Sequence, residues 1–211
     1  MDHHQCDMRL VEAVDDEVSF DERPNVATME EAVRTLIAAT GDDPMRAGLR
    51  DTPARVAKAY GEWFAGYRVD ARELLNRTFN DVAGYDELVL LRSIPVRSTC
   101  EHHMAAITGV AHVGYLPDGK VVGISKLARL VDAYSRRLQI QERLTRQIGE
   151  TLYEILKPRG VGVIIEANHG CMSTRGVNQH GTSMVTKCWL GDFKSSKELR
   201  RDFTETIRNG M

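Results

Sequence analysis

The spacing of apolar residues predicts two helices before any strand. After a capping box formed by Thr28 and Glu31, apolar side chains recur every three or four positions until a glycine ends the run. A second helix begins with Thr52 as its N-cap and Pro53 at its first position. The residues predicted to face inward are Met29, Ala32, Val33, Leu36 and Ile37 in the first helix, and Val56, Tyr60, Trp63 and Phe64 in the second.

Apolar residues that alternate with other residues predict strands from residue 87 onwards. Residues 88–91 form one predicted strand and residues 107–115 another. The turn sequence Pro117-Asp118-Gly119-Lys120 then predicts that residues 121–124 return as a partner strand. The first part of the sheet is therefore expected to be antiparallel.

Three further amphipathic helices and two strands complete the predicted order. One helix is capped by Ser125, and a longer one stops at Pro158. Strands at residues 161–167 and about residues 183–190 precede a last helix, capped by Ser195 or Ser196. The predicted inward residues of these helices are Leu127, Leu130, Val131 and Tyr134, then Ile140, Leu144, Ile148, Leu152 and Ile155, then Leu199, Phe203 and Ile207.

This order of elements indicates an α+β fold, an antiparallel sheet with helices on one side. Residues 1–27 are polar and acidic without a sustained period, which is typical of a flexible tail. Residues 28–85 form an N-terminal helical region, and residues 86–211 form the domain that contains the sheet.

Composition and charge narrow the class of protein. The 211 residues are 42% hydrophobic and 27% charged, the balance of a soluble globular chain. Because no apolar run reaches membrane-spanning length and the start lacks a signal-peptide pattern, we expect a cytoplasmic protein without a membrane partner. A net charge of -2 predicts no general attraction to nucleic acid, so a polyanionic ligand would need a local basic cluster.

Cysteine and histidine spacing suggests a metal site. Four cysteines in a cytoplasmic chain favour metal or thiol chemistry, because that compartment keeps thiols reduced. Cys100 and His103 lie three positions apart after a predicted strand, where a turn lets both reach one ion. Cys171, in a glycine-containing segment after another strand, completes a donor set that suits Zn²⁺ better than Mg²⁺ or Ca²⁺.

The number of ligands decides between catalytic and structural zinc. Three protein ligands leave the fourth tetrahedral position open for water, as in catalytic sites. A closed structural site would need a fourth ligand, which His102, His112, His169 or Cys188 could provide. Because His102 and His169 stand beside the predicted ligands and imidazoles exchange protons near neutral pH, the pattern favours hydrolysis.

Phosphate recognition would have to use separate basic side chains. The chain contains neither a P-loop nor a dinucleotide-binding glycine motif. The segment Ser125-Lys126-x-x-Arg129 starts a predicted helix, where free N–H groups and the helix dipole favour anions. The further basic candidates are Arg55, Lys58 and Arg175, and Gln141-Glu142 could present a carboxylate to paired donors of a guanine.

Four ordered motifs resemble the GTP cyclohydrolase I family. They are Cys100-Glu-His-His103, Val122-Gly-Ile-Ser-Lys-Leu-Ala-Arg129, Gln139-Ile-Gln-Glu-Arg-Leu-Thr145 and His169-Gly-Cys-Met-Ser-Thr-Arg-Gly176. The resemblance covers roughly residues 28–208. Two departures, the Met104-Ala-Ala-Ile107 segment and Gly170, affect local packing and no polar catalytic position.

The resemblance implies a fold, an assembly and a reaction. The fold is the tunnelling fold, in which four-stranded antiparallel sheets with helices on one face join between subunits into a barrel. The implied assembly is a homodecamer of two stacked pentamers, with active sites between subunits. The implied reaction converts GTP and water to formate and 7,8-dihydroneopterin triphosphate, the first step of folate and pterin biosynthesis.

The resemblance also implies a role for each candidate residue. Cys100, His103 and Cys171 match the zinc ligands, and His102 and His169 match proton-transfer histidines. The other matching positions are Ser125 near the ribose, Gln141 and Glu142 at the guanine, Lys126, Arg129 and Arg175 at the triphosphate, and Arg55 and Lys58 as contacts from a neighbouring subunit.

Two alternatives remain open at this point. Another enzyme of the same fold, such as a pterin synthase or a nitrile reductase of the deazapurine pathway, is expected to carry three histidines or a nucleophilic cysteine instead of the Cys, His and Cys set. A non-catalytic oligomer could instead hold structural zinc and bind GTP as a regulator, in which case metal removal would unfold it.

Overall fold

The computed structural model describes residues 25–76, 78–79 and 84–208. Most of the predicted tail therefore lies outside the described residues. The described chain forms two compact units, one up to Lys58 and one from Ala59 onwards. The helices are α1 (Val26–Ala39), α2 (Thr52–Trp63), α3 (Ile124–Ser135), α4 (Gln141–Leu156), α5 (Gly170–Ser173), α6 (Asp192–Ser195) and α7 (Lys197–Arg208). The strands are β1 (Thr78–Phe79), β2 (Val89–Cys100), β3 (Ala106–Leu116), β4 (Val121–Val122), β5 (Leu138–Gln139), β6 (Gly160–His169) and β7 (Met184–Gly191).

The first two helices confirm the predicted elements and correct their details. The N-cap of α1 is Asn25, whose Oδ1 accepts a hydrogen bond from the Thr28 backbone N–H at 2.9 Å. Thr28 lies within the helix, so the predicted capping box is wrong. Leu36 in α1 and Trp63 in α2, both predicted to face inward, are 66% and 56% exposed. Trp63 is the last residue of α2, and its ring lies 5.6 Å from that of Tyr60.

The main sheet has the strand order β5-β2-β3-β6-β7. Its four long strands are antiparallel, as predicted, and the two-residue β5 adds a parallel edge beside β2. The predicted pairing of residues 121–124 with β3 is wrong, because β4 pairs with β1 in a separate two-stranded sheet. The helix begins already at Ile124, which leaves β4 only two residues long.

Helices α3 and α4 cover one face of the sheet and form the larger core. Five of their predicted inward residues are confirmed, since Leu127, Leu130, Leu144, Ile148 and Leu152 are 0% exposed, whereas the predicted Ile140 precedes α4 as its N-cap. Burial of each such side chain contributes roughly 1.5–3 kcal/mol relative to leaving it in water. This packing fixes where α4 begins relative to the sheet, and the site described below lies at that helix start.

The expectation that helices cover only one face is wrong at one end of the sheet. Phe203 and Ile207 of α7 form a second core with Leu116 and Ile164, whereas the neighbours of these strand residues pack in the first core. Because successive strand residues point to opposite faces, α7 lies on the face opposite to α3 and α4. The strand position Gly162 leaves room there, since a Cβ atom on it would lie 3.0 Å from the Phe203 ring.

The predicted cap of α7 is confirmed, whereas the predicted cap of α3 is wrong. The Ser196 hydroxyl oxygen accepts a hydrogen bond from the Leu199 N–H at 3.2 Å, which confirms Ser196 as the cap of α7. Helix α3 is capped by Gly123, not by the predicted Ser125, which lies exposed in the first turn. None of the helices in the described ranges is long and apolar enough to cross a membrane.

Candidate active site

Strand pairing brings four chain segments to one end of the sheet. Thr99 in β2 pairs with Ala106 in β3, and Ile107 pairs with His169 in β6. In the parallel edge, Cys100 pairs with Gln139, two residues before α4 begins. The end of β2, the start of β3, the end of β6 and the start of α4 therefore meet.

A tight turn after β2 places two of the predicted ligands side by side. The Cys100 backbone N–H donates to Ala105 O at 2.8 Å, and the Met104 N–H donates to Cys100 O at 2.8 Å. Met104 adopts a left-handed conformation with φ of 51°, which closes the turn. The prediction treated His102 as part of an extended segment, but it lies exposed within this turn.

The third predicted ligand comes from α5, a single helical turn directly after β6. A Cβ atom on Gly170 would lie 3.1 Å from Ala106 O, so the glycine allows α5 to approach the start of β3 closely. The ligand atoms of Cys100, His103 and Cys171 all lie within 4.8 Å of one another. Two thiols and one imidazole are thus gathered at a spacing that a single ion could bridge.

The electrostatics of this cluster favour a cation. Burial raises the pKa of the Cys171 thiol, and the hydrogen bond and charge of the adjacent Cys100 raise it further. Two thiolates this close repel each other unless a positive charge lies between them. Arg175 opposes the shift in part, and its Nη1 lies 2.9 Å from Nε2 of His103. Arg175, predicted to bind phosphate, therefore adjoins the three candidate ligands.

His169 and Gln141 form a second polar pair beside the cluster. The His169 Nε2 atom lies 2.8 Å from the Gln141 side-chain oxygen. Burial lowers the pKa of His169, which favours the neutral ring, while the charge of Glu142 acts weakly in the opposite direction. Gln141 is only 1% exposed, whereas Glu142, the next residue, is exposed.

The predicted ribose residue Ser125 and the predicted triphosphate residues Lys126 and Arg129, all on α3, stand apart from these contacts. Ser125 and Arg129 are exposed and Lys126 is half-buried. Within residues 25–76, 78–79 and 84–208, no side-chain hydrogen bond or ion pair of these three residues joins the cysteine and histidine cluster. Arg129 lines a cavity of about 390 Å³ together with Asp132 and Arg136.

The last two predicted substrate residues are on α2. Arg55 and Lys58 are exposed on α2, and Arg55 forms an ion pair with Asp51 at 3.3 Å. A cavity of about 560 Å³ in the second unit is lined by Tyr60, Phe64 and neighbouring strand residues and contains none of the predicted site residues.

One pair of residues at the site was not predicted from the sequence. Arg143 on α4 forms an ion pair with Glu101, inside the ligand turn. The Arg143 Nε–H also donates to the Gln139 side-chain oxygen at 3.1 Å, and the Glu101 backbone N–H donates to Gln139 O at 3.1 Å. Glu101 and Arg143 are 42 positions apart in the chain. Without the register of β5 beside β2, no local pattern signals this contact.

Comparisons with known proteins agree with the site. The family model described as GTP cyclohydrolase I matches residues 29–208. The chain is 51% identical to GTP cyclohydrolase 1 of Maricaulis maris (strain MCS10) over 185 residues, covering 88% of this chain and 90% of the relative. It is 52% identical to GTP cyclohydrolase 1 of Brucella canis (strain ATCC 23365 / NCTC 10854 / RM-666) over 186 residues, covering 88% and 87%.

Among solved structures, the archaeosine synthase QueF-Like in its apo form aligns with a TM-score of 0.42 and 22% identity, covering 49% of this chain and 93% of that one. A likeness this distant carries no argument about function. The family model and the two relatives span nearly the whole described chain, including all four motifs. This chain belongs to the GTP cyclohydrolase I family.

Proposed function

We propose that this chain is a zinc-dependent GTP cyclohydrolase I, which opens the imidazole ring of GTP, releases formate and forms 7,8-dihydroneopterin triphosphate. Family membership over residues 29–208 supports the activity, which is the first step of pterin and folate biosynthesis. The single structural observation that carries the proposal is the convergence of Cys100, His103 and Cys171 within 4.8 Å.

The donor set fits zinc. Thiolate and imidazole are the ligands that zinc prefers, and hard cations such as Mg²⁺ prefer oxygen. Held by Cys100, His103 and Cys171, zinc would supply a water molecule whose pKa is lowered towards about 7. The turn after β2 and the close approach of α5 hold these side chains in place, so little rearrangement is needed for binding.

Two histidines are proposed to move protons during ring opening. His169 is partly buried, and burial favours its neutral form, so the ring can accept a proton and deliver it to a purine nitrogen. His102 is exposed in the ligand turn, where it can exchange protons with solvent. Ser125 is proposed to act at the ribose, where protons must move before the new ring closes.

Substrate recognition is proposed to divide between two helix starts. At the start of α4, the Glu142 carboxylate can accept two hydrogen bonds from the N1–H and the exocyclic amino group of guanine. Adenine presents no such donor pair on that edge, so it would leave a carboxylate unpaired. At the start of α3, Lys126 and Arg129 are proposed to bind the triphosphate, joined by Arg175 from the segment after α5.

A barrel-forming oligomer is the proposed assembly, with ten subunits in two stacked pentamers. The edge strand β7 supports this, since it pairs only with β6 in the described chain and so presents an unpaired edge that another sheet can extend. Arg55 and Lys58 are exposed and are proposed to reach the triphosphate of a neighbouring subunit.

Product analysis by mass spectrometry tests the proposed activity. Incubation of the purified zinc-loaded protein with GTP should give formate and 7,8-dihydroneopterin triphosphate in equal amounts, and ATP should give neither. Recovery of unchanged GTP from a folded, zinc-loaded protein would contradict the proposal and would favour a GTP-binding regulator. Mass measurement of the intact assembly in the same sample tests the decamer.

A further inference from the structure

The hydrogen bonds of Gln141 fix the orientation of its side-chain amide. The residue is 1% exposed, and its Nε2 lies 3.1 Å from Ile165 O, 2.9 Å from Met184 O and 3.1 Å from the Thr186 hydroxyl. Backbone carbonyl oxygens only accept hydrogen bonds, so the atom between two of them must be the amide nitrogen. The Gln141 carbonyl oxygen is consequently the atom that faces His169.

This orientation assigns the tautomer of His169. The Gln141 Oε1 atom lies 2.8 Å from Nε2 of His169, and an amide oxygen can only accept. Nε2 must therefore carry a hydrogen, which leaves Nδ1 with the lone pair in the neutral ring.

A second contact anchors Gln141 from its backbone side. The Thr145 hydroxyl donates to Gln141 O at 2.7 Å and lies 2.6 Å from the Thr186 hydroxyl, which in turn contacts the Gln141 amide. Thr145 is 2% exposed. The side chain is thus held by α4, β6 and β7 together, and the amide hydrogens of Gln141 are directed at protein acceptors.

We propose that Gln141 is a positioning residue for His169, holding the ring with its hydrogen on Nε2 and the Nδ1 lone pair free, and that the Gln141 side chain does not contact guanine. This inference rests on the proposed function and replaces the guanine contact predicted for Gln141 from the family resemblance. Guanine recognition then falls to Glu142.

The tautomer can be measured directly on the whole protein. Solid-state ¹⁵N NMR of zinc-loaded protein labelled at histidine distinguishes a protonated from an unprotonated ring nitrogen, and a His169→Ala spectrum identifies the signals of His169. We expect neutral His169 to carry its hydrogen on Nε2. A hydrogen on Nδ1 would overturn the inference, whether or not the protein releases formate.

Steady-state kinetics separate positioning from guanine binding. Gln141→Met keeps the side-chain length and removes the acceptor, so kcat should fall roughly 100-fold, the lower range of general acid–base contributions, with the KM for GTP changed less than about threefold. A rise in KM with kcat unchanged would overturn the inference, because it would show a lost substrate contact. Glu142→Gln is the matched comparison on the next residue and should chiefly raise KM.

A milder variant guards against loss of folding. Thr186→Val removes one of three acceptors of the Gln141 amide and leaves both carbonyls in place, so the His169 tautomer should stay on Nε2. A tautomer change in Thr186→Val would mean that the two carbonyls do not fix the amide, and would overturn the inference. If wild-type protein shows the expected tautomer but converts no GTP, the proposed function fails and the geometry stands.

Discussion

Replacement of Arg143 by glutamine should weaken zinc binding without unfolding the protein. Arg143 connects α4 to the turn that carries Cys100 and His103, through its ion pair with Glu101. It also donates to the Gln139 side chain at 3.1 Å and to Leu138 O at 3.3 Å. Arg143→Gln removes the charge and most of these donors while keeping a polar side chain of moderate length.

The exposure and hydrogen bonds of Arg143 set the expected loss of zinc affinity. The side chains of the Arg143–Glu101 pair are 42% and 29% exposed, so solvent screens the pair and its loss should cost about 0.2–1 kcal/mol. The hydrogen bond to Gln139 adds about 0.5–1.5 kcal/mol. If about 1.4 kcal/mol of this total is lost from the free energy of zinc binding, the zinc dissociation constant should rise about tenfold.

Chelator competition measures the zinc dissociation constant, and urea unfolding of the metal-free protein measures global stability. Arg146→Gln is the matched control, because Arg146 lies one turn later on α4 and, among the residues the structure describes, forms its side-chain ion pair with Glu150 alone, at 2.7 Å. Its loss should cost the few tenths of a kcal/mol typical of such helix pairs and leave zinc affinity unchanged. Equal zinc affinities in the two variants would refute the idea that the Arg143–Glu101 pair holds the ligand turn.

Three further predictions concern individual side chains. Cys171→Ala should lose zinc and activity together while far-ultraviolet circular dichroism stays unchanged, and full zinc occupancy would remove it from the ligand set. His169→Ala should bind GTP in equilibrium dialysis but turn over at least roughly 100-fold more slowly; a near-normal rate would exclude it from proton transfer. Burial lowers the pKa of His112, and the charge of Arg92 lowers it further. Nδ1 of this ring accepts a hydrogen bond from the Ser93 N–H. As pH falls, His112 is therefore protonated in the unfolded state before it is protonated in the folded state. The free energy of unfolding should therefore decrease below about pH 6.5 in wild type and less so in His112→Asn, and identical pH dependence of their urea midpoints would contradict this.

The spacing of apolar residues correctly predicted those helices and strands that depend mainly on the local sequence. The inward residues of α3 and α4 followed from helical spacing, because a helix that covers a sheet needs one continuous apolar stripe. The exact ends did not follow. Asn25 and Gly123 cap helices where Thr28 and Ser125 were expected, since several polar or small residues near a helix start compete for the same position.

Contacts between distant segments limited the prediction of the fold and the site. The pairing of β4 with β1 and the position of α7 on the opposite face depend on tertiary packing. The three candidate ligands could be selected because few residue types bind zinc and their local spacing is informative. The Glu101–Arg143 pair depends instead on a strand register that no local pattern reveals.

The proposed zinc-dependent ring opening is best tested by measuring formate release from GTP by the purified protein, before and after metal removal. Formate should form from GTP but not from ATP, should disappear on chelation and should return with added zinc, while the chelated protein keeps its helices. Formate production that continues after complete metal removal would contradict a catalytic role for the Cys100, His103 and Cys171 cluster. Absence of formate from folded, zinc-loaded protein would contradict the proposed activity itself.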